Sequence, residues 1–303
     1  MNYLKAPISS LRHSVKDSLV YADALSEFNL KITVNEYGSA TKFINSLEPI
    51  LINSPKSPHL KEFYKLYKEF FILPDERESL SGFKKVLALN KDRKLNRKFG
   101  DFEEAMICLF DPKSKTLLGA IDFCNYPASS KVRKKQGVIG FVQLVFLFVR
   151  EDFRKFGIAK RLLTLVEEYY SRNFFFGVYG KEALHKKNFA KGNILFFCEQ
   201  NNPKRMSVRK QLIDSLGAKI LQDDRVAWWK NRGYKQLGFD YFQPALSSKL
   251  KPSKELVLRI KSPYKKEIPS ELVWAHLNAF FTISILKGRS PFSDKTYLHK
   301  KAL

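Results

Sequence analysis

One stretch constrains the fold more than any other, an unbroken apolar run that leads into a basic turn containing a glycine. The run extends from Val138 to Val149, and an amphipathic helix begins near Ile158. Because the run is apolar on both faces, it predicts a strand that is covered on both sides of a sheet. At the start of the helix, unpaired N–H groups and the helix dipole favour an anion. The turn therefore predicts either a pyrophosphate site or an ordinary strand-to-helix connection.

Composition limits the class of protein. The chain has 303 residues, 44% of them apolar, which is enough for a sizeable globular core. Cys108, Cys124 and Cys198 are far apart and lie in apolar runs, so we expect reduced core thiols and neither a disulfide framework nor a metal site. The first residues contain no apolar signal core, and no run has the length of a membrane span. We therefore expect a cytoplasmic protein.

The net charge of +24 is high for this length. It would attract acidic substrates, nucleic acid or an anionic membrane, but a lysine-rich solvated surface explains it without any partner. The basic clusters, among them Lys181 to Lys191, fall in expected loops and helix starts, and no RNA-binding motif accompanies them. A nucleic-acid or ribosome-associated role therefore has only the charge in its favour.

Hydrophobic spacing predicts the elements around the central strand. The predicted helices are 14–25, 40–47, 59–71, 79–89, 204–216 and 269–287. The predicted strands are 29–36, 103–110, 117–124, 138–149, 193–198, 237–246 and 254–260. We interpret 90–100 and 125–137 as basic loops, and 103–124 as a hairpin closed by an Asp-Pro turn.

Two motifs carry a family resemblance. Leu147-Phe-Val149 followed by Arg154, Gly157 and Ala159 resembles the acetyl-CoA signature of the GNAT acyltransferase superfamily. Trp229 and the later Gly233-Tyr234 resemble its second signature, in which an aromatic residue precedes a Gly-aromatic pair by four positions.

Two further runs resemble those of one bacterial branch of the superfamily, Tyr67 through Glu76-Arg77 and Tyr241 through Leu246. The resemblance covers about residues 60–260, and its specificity comes from the order of the motifs.

The resemblance implies an α/β (α+β) fold. Its central sheet would be mixed, mostly antiparallel, splayed at the cofactor site and flanked by helices. We divide the chain into an N-terminal extension of unclear role (1–57), a GNAT-like acyltransferase domain (58–262) and a C-terminal helix packed on it (263–303). The extension either packs on the main domain or supplies the first strand of the sheet.

Acetyl-CoA is the implied co-substrate, held mainly by backbone groups. The strand end would bind the pantetheine amides and the loop would cradle the pyrophosphate, with Arg154 as its cation. The implied cofactor-binding residues are Leu147, Phe148, Val149, Arg154, Lys155, Phe156, Gly157, Ile158, Ala159, Lys160 and Trp229.

The catalytic residues are less well defined. Many family members carry a Glu eleven residues before the loop arginine, where this chain has Gln143, which cannot take a proton but could orient water or hold the acceptor. We expect Glu199, at the end of the fifth strand, to be the general base, unless it only pairs with a nearby cation. Asp122 and Glu76 are weaker candidates. The usual tyrosine acid is replaced by Trp229, and Tyr234 is either an acid or a core aromatic.

The leading hypothesis is an N-acetyltransferase that moves acetyl from acetyl-CoA to an amine through a direct ternary complex. Gln143 and Trp229 leave open a non-catalytic, regulatory acyl-CoA-binding module. The acceptor, a small molecule or a protein, stays open because pockets of this fold are built from variable loops.

Overall fold

One mixed sheet organises the protein. The computed structural model describes Tyr3 and residues 5–179, 194–247, 250–262 and 268–293. Its strands are β1 Glu48–Ile52, β2 Glu103–Phe110, β3 Leu117–Pro127, β4 Gly140–Val149, β5 Ile194–Asn201, β6 Lys235–Gln236 and β7 Leu256–Lys261. Their order is β1-β2-β3-β4-β5-β7-β6, and all neighbours are antiparallel except β4 and β5. This mostly antiparallel sheet confirms the predicted fold class.

Helices cover both faces of the sheet. They are α1 Ile8–Tyr37, α2 Ala40–Ser46, α3 Leu60–Phe70, α4 Leu80–Leu89, α5 Arg93–Phe99, α6 Ser130–Gln136, α7 Ile158–Tyr179, α8 Val208–Ala218, α9 Gln222–Lys230 and α10 Ser270–Phe280. Side-chain caps fix several helix starts; for example, the Ser79 hydroxyl accepts the Gly82 amide at 2.9 Å before α4. No helix in the described ranges is both long and apolar enough to cross a membrane.

The two faces of the sheet have separate cores. On one face, Ile121 and Phe123 pack against Ile158 and Leu162 of α7. On the other face, α3 and α4 cover β2 and β3, while α10 covers β5 and β7. Because β4 lies in the middle of the sheet, its residues face α7 on one side and the α3–α4 layer on the other. This accounts for the continuous apolar run in its sequence.

The N-terminal segment enters the sheet. β1 pairs with β2 in register from Glu48 opposite Phe110 to Ile52 opposite Met106. Residues 29–36, which we predicted as a strand, lie inside α1, so that prediction is wrong. The residues that α1 buries include the small polar Ser26 and Thr33, whereas several of its large apolar side chains are exposed. A prediction from the spacing of apolar residues alone therefore does not identify this part of α1 as a helix.

Other elements differ from prediction for local reasons. The two expected basic loops contain α5, capped by Asp92, and α6, capped by Ser129. Residues 237–246 run without a strand ladder except for the bridge from Gln243 to Ser253. The last helix, expected over 269–287, is α-helical only to Phe280 and continues as a π-helical turn, Phe281–Ile285. The basic cluster at 181–191 lies outside the described residues.

Candidate active site

The sheet opens between its two parallel strands. The ladder between β4 and β5 runs from Gly140 opposite Ile194 to Leu144 opposite Cys198. β4 continues beyond it to Val149, and β5 to Asn201, without pairing with each other. A bulge starts this divergence, because Phe123 lies opposite Leu144 while Asp122 lies opposite Phe146. The splay predicted at the end of β4 is present.

A cavity of 170 Å³ lies at this opening. Its lining comes from β4, β5, the α3–α4 connection, α9 and the C-terminal π-helical turn. The polar lining residues are Glu76, Glu78, Glu104, Asp122, Glu199, Gln200, Asn201, Gln222, Arg225, Gln243 and Ser284. Apolar side chains such as Leu147, Phe146 and Trp229 complete it. A concave site with a few converging polar groups is typical of a substrate pocket.

Glu199 has the environment expected of a general base. The Tyr241 hydroxyl donates to its Oε1, and the Gln243 amide donates to Oε1 at 2.9 Å and to Oε2 at 2.8 Å. Burial raises the pKa of Glu199 to about 7, and these hydrogen bonds oppose part of that rise. A carboxyl group with a pKa near neutral can both take and release a proton under ordinary conditions.

Three other carboxyl groups of the cavity, Glu76, Glu104 and Asp122, also have raised pKa values. Burial raises the pKa of Glu76 and of Glu104 to about 7. The pKa of Asp122 lies well above its usual range, first because of burial and then because Glu104 and Glu78 repel its charge. Perturbed groups that share one cleft are typical of functional sites, although structural networks also produce them.

The loop after β4 presents free amides. Lys155 and Gly157 have φ values of +66° and +94°, and α7 begins at Ile158. Within the described chain, the backbone N–H groups from Lys155 to Lys160 have no hydrogen-bond acceptor. Gly157 is exposed, and a Cβ placed on it would lie 3.2 Å from Ile44 Cδ1. Free amides at a helix start with left-handed residues form a cradle that fits a phosphate group.

The side chain of Arg154 lies elsewhere than expected. Its guanidinium donates to the carbonyl oxygens of Ala218 and Lys219 at the end of α8 and lies 5.8 Å from the Phe70 ring. Burial lowers the pKa of Arg154 to about 10. Arg154 therefore connects the loop to the end of α8.

Helix α1 holds the same loop from outside. Ser26 donates to the Arg154 carbonyl at 2.6 Å, and Asn29 donates to the Asp152 carbonyl at 3.0 Å. Lys155 forms an exposed ion pair with Asp23 at 3.1 Å.

The structure brings together only part of the predicted set. Leu147, Trp229 and Glu199 line the cavity. The Phe148 side chain is buried against α3, stacked on Phe70 with ring centroids 5.5 Å apart. Gln143 is fully buried outside the cavity lining, and its Nε2 donates to the Leu144 carbonyl at 3.0 Å.

Tyr234 also lies apart from the cavity. It is 1% exposed and packs edge-on against Trp229, with centroids 4.8 Å apart. Burial raises the pKa of its hydroxyl well above the usual range. The second motif acts as a helix stop, because Gly233 has a φ of +84° and the Tyr234 amide donates to the Trp229 carbonyl at 3.1 Å.

Several residues of the site were not predicted from the sequence. Gln243 lines the cavity and Tyr241 donates to Glu199 from outside the lining. Both lie in a run that resembles the bacterial branch, and the conjunction of that run with Glu199 could have assigned them. Glu104 alternates within an apolar strand, which is a weak signal for a buried carboxyl group. Gln222 and Arg225 belong to no sequence motif that would mark them as site residues, because only the tertiary fold places α9 over the opening.

No protein-family model and no curated protein sequence matches this chain. Among solved structures, it is similar to a Bacteroides thetaiotaomicron protein described as a GNAT-family acetyltransferase, with 15% identity, 80% of this chain and 99% of the other covered, and a TM-score of 0.43. The chain is also similar to Arabidopsis thaliana NAA60 in complex with acetyl-CoA. The two are 15% identical, 71% of this chain and 97% of the other are covered, and the TM-score is 0.39.

An aminoglycoside 6'-N-acetyltransferase complexed with coenzyme A has 13% identity, coverage of 72% and 99%, and a TM-score of 0.38. The descriptions of these three proteins name acetyltransferases.

Proposed function

We propose that this protein is an N-acetyltransferase that uses acetyl-CoA and an amine in a direct ternary complex. The observation that carries the proposal is the opening at the end of the β4–β5 ladder, where the cavity holds Glu199, together with the free amides from Lys155 to Lys160 that follow the same strand β4 in the chain. Acyl transfer needs a bound donor, a polarised carbonyl and a group that removes a proton from the amine. Each of these needs has a counterpart in this opening.

The donor would be held by main-chain groups. The loop amides and the start of α7 suit the diphosphate, and the unpaired edge of β4 after Leu144 suits the pantetheine amides and the thioester oxygen. Acetyl-CoA supplies an activated acyl group with a thiolate leaving group. Trp229 lines the cavity and provides apolar surface there.

Glu199 would prepare the acceptor. An alkylammonium gives a proton to the Glu199 carboxylate, and the neutral amine attacks the acyl carbon. A C–N bond forms and the C–S bond breaks, and the departing coenzyme A thiolate takes up the second proton that the product nitrogen loses, while Glu199 releases the first proton to solvent. Tyr241 and Gln243 hold the carboxylate in place, which is a positioning role.

A covalent acyl-cysteine route is disfavoured by the cysteines of this chain. Cys108, Cys124 and Cys198 are buried, and burial raises the pKa of each thiol well above its usual value. Little thiolate is therefore present to attack a thioester.

The test is turnover of acetyl-CoA by the full chain with a panel of small amines and of peptides that have a free amino terminus. Release of the coenzyme A thiol and the mass of the acetylated product are both measured. We expect acetylated amine and free coenzyme A in equal amounts. If acetyl-CoA binds but no amine in the panel is acetylated, the chain is an acyl-CoA-binding module instead.

A further inference from the structure

The cavity is acidic although the chain as a whole carries a net charge of +24. The carboxyl groups that line it are Glu76, Glu78, Glu104, Asp122 and Glu199, and its cationic lining residue is Arg225. Arg225 forms an ion pair with Asp214, which does not line the cavity. A cavity lined mainly by carboxyl groups suits a cationic ligand, because a bound cation stabilises their ionised form.

Three of these carboxyl groups, Glu78, Glu104 and Asp122, form a cluster in this cavity, where the charges of Glu104 and Glu78 act on Asp122. Glu104 and Asp122 lie on neighbouring strands, where Cys124 faces Glu104 and Met106 faces Asp122, so both side chains are on the same face of the sheet. Lys287 pairs with Glu78 at 2.7 Å, and Ser284 donates to Glu104 at 2.7 Å. Asp122 is 1% exposed, and no group in the described chain donates to its Oδ1. The cluster therefore has more acceptors than donors.

Amide oxygens in the same cavity also lack donors. Gln222 is 4% exposed; its Nε2 donates to Asp214, and its Oε1 has no partner among the described residues. Asn201 donates from Nδ2 to Glu76 at 3.0 Å, which leaves its buried Oδ1 without a donor in the described chain. Buried acceptors without donors are costly, and a ligand rich in N–H groups would satisfy them.

An organic cation fits better than a metal ion. In the described ranges, no group of His, Cys, Asp and Glu residues is placed so that it could hold a metal. The acidic groups are instead spread along the cavity. Glu199 is on β5 and Asp122 on β3, with β4 between them, and the β4–β5 ladder ends just before Glu199, so the two lie at least two strand spacings apart, roughly 10 Å or more.

We propose that the acceptor is a small di- or polyamine, with its reacting nitrogen at Glu199 and a second ammonium group in the cluster of Glu78, Glu104 and Asp122. This inference rests on the proposed function for the reaction at Glu199, whereas the second cation site is independent of it. A dication stabilises the ionised forms of Glu104 and Asp122, whose pKa values burial raises, so its binding releases protons that these two groups hold in the free protein.

The first experiment compares turnover of linear diamines, from diaminopropane to diaminohexane, with that of monoamines of the same chain length. We expect kcat/KM to favour the best diamine by at least about tenfold, because its second charge meets buried carboxyl groups. In Asp122→Asn, the ratio of diamine to monoamine should fall close to one. The matched control is Glu271→Gln, a surface carboxylate that is 63% exposed and should keep the wild-type ratio.

A preference for monoamines, or for peptide amines over every diamine, would overturn the inference while leaving acetyl transfer intact.

Calorimetry without acetyl-CoA tests the cation site separately from the proposed acetyl transfer, because diamine binding requires no reaction. We expect binding heats that differ between buffers of different ionisation enthalpy, which reports proton release, and a loss of affinity in Asp122→Asn and Glu104→Gln. Binding without any acetyl transfer would contradict the proposed function and support the cation site. No binding in either buffer would overturn the cation site.

Discussion

At the scale of the residue, the proposed reaction depends most on Glu199, because its position in the cavity determines its pKa. A carboxylate in water would be too weak a base for this task, but burial brings the pKa of Glu199 to about 7. The neighbouring donors, Tyr241 and Gln243, keep the ionised form accessible. The residue is thus able to accept a proton at neutral pH.

Replacing Glu199 by Gln should lower kcat by about a hundredfold or more, because a general base contributes on this scale. In the wild type, kcat should rise as pH increases through about 7, since the carboxylate is the active form; the variant should lose this limb. Acetyl-CoA affinity, measured by calorimetry, should not change. Equal pH profiles for the two proteins would contradict a basic role for Glu199.

The raised pKa values also make stability depend on pH. Glu104 has a pKa of about 7 in the folded protein and an ordinary value near 4.5 when unfolded. The contribution of Glu104 to the free energy of unfolding is fully present below pH 4.5 and is lost as pH rises through about 7. In that range the unfolded chain has already released this proton, whereas the folded protein still holds it. Glu76 follows the same direction.

Glu104→Gln should therefore raise the free energy of unfolding at pH 8 by roughly 1 to 3 kcal/mol relative to the wild type, and by little at pH 4. Denaturant titrations at the two pH values measure this difference. Glu48→Gln is the control, because Glu48 is 49% exposed in a surface ion pair with Lys115. A variant that is destabilised equally at both pH values would show that Glu104 acts only through its hydrogen bonds.

At the scale of the element, the turn between β4 and α7 depends on Gly157. Its φ of +94° is unfavourable for any residue with a Cβ, and that atom would come within 3.2 Å of Ile44. Gly157→Ala should cost about 1 to 2 kcal/mol of stability and weaken acetyl-CoA binding by about tenfold. Thermal unfolding and calorimetry measure the two effects.

Gly238→Ala is the matched control for that glycine, because no atom lies within 4 Å of its Cβ position. It should change stability by less than about 0.5 kcal/mol. If Gly157→Ala binds acetyl-CoA as tightly as the Gly238 variant does, the loop amides do not form the anion site.

Helix α1 should matter for the same loop. Ser26→Ala removes the hydroxyl that donates to the Arg154 carbonyl and should cost about 1 kcal/mol. Ser18→Ala is the control, because the buried Ser18 hydroxyl has no partner in the described chain and its loss should be nearly neutral. Faster hydrogen exchange of the Arg154 and Arg161 amides, which donate to the Glu151 and Gly157 carbonyls, in the Ser26 variant alone would support this role. Equal exchange in both variants would contradict it.

The sequence predicted elements whose pattern is strong and local. Uniform apolar character revealed β4, and the alternation around the Asp-Pro turn revealed the β2–β3 hairpin. The start of α7 was visible from Gly157 because only a glycine tolerates that conformation without strain. α1 was misread because it buries small polar residues such as Ser26 and Thr33.

The site was less predictable than the fold because its polar groups converge from distant parts of the chain. Glu199 could be placed because it ends a buried strand. Glu104 and Asp122 become a cluster only through strand register, and Gln222 joins the cavity only through the packing of α9. The role of Arg154 depended on where α8 ends, which no local spacing encodes.

At the scale of the whole molecule, a basic chain encloses an acidic cavity in an opened sheet. β1 pairs with β2 at one edge of the sheet, and α1 donates hydrogen bonds to the loop between β4 and α7, so we propose that residues 1–57 are an integral part of the domain. The π-helical turn near the C-terminus contacts the cavity directly: Ser284 donates to Glu104, and Lys287, just after the turn, forms an ion pair with Glu78.

The central claim is that the opening after Leu144 and the amides at the start of α7 hold acetyl-CoA. Residue-resolved hydrogen exchange of the full chain, with and without saturating acetyl-CoA, tests it most directly. We predict slower exchange at Val145 to Val149 and at Lys155 to Lys160, where backbone N–H groups gain acceptors. Unchanged exchange in both segments at saturating acetyl-CoA would contradict the account.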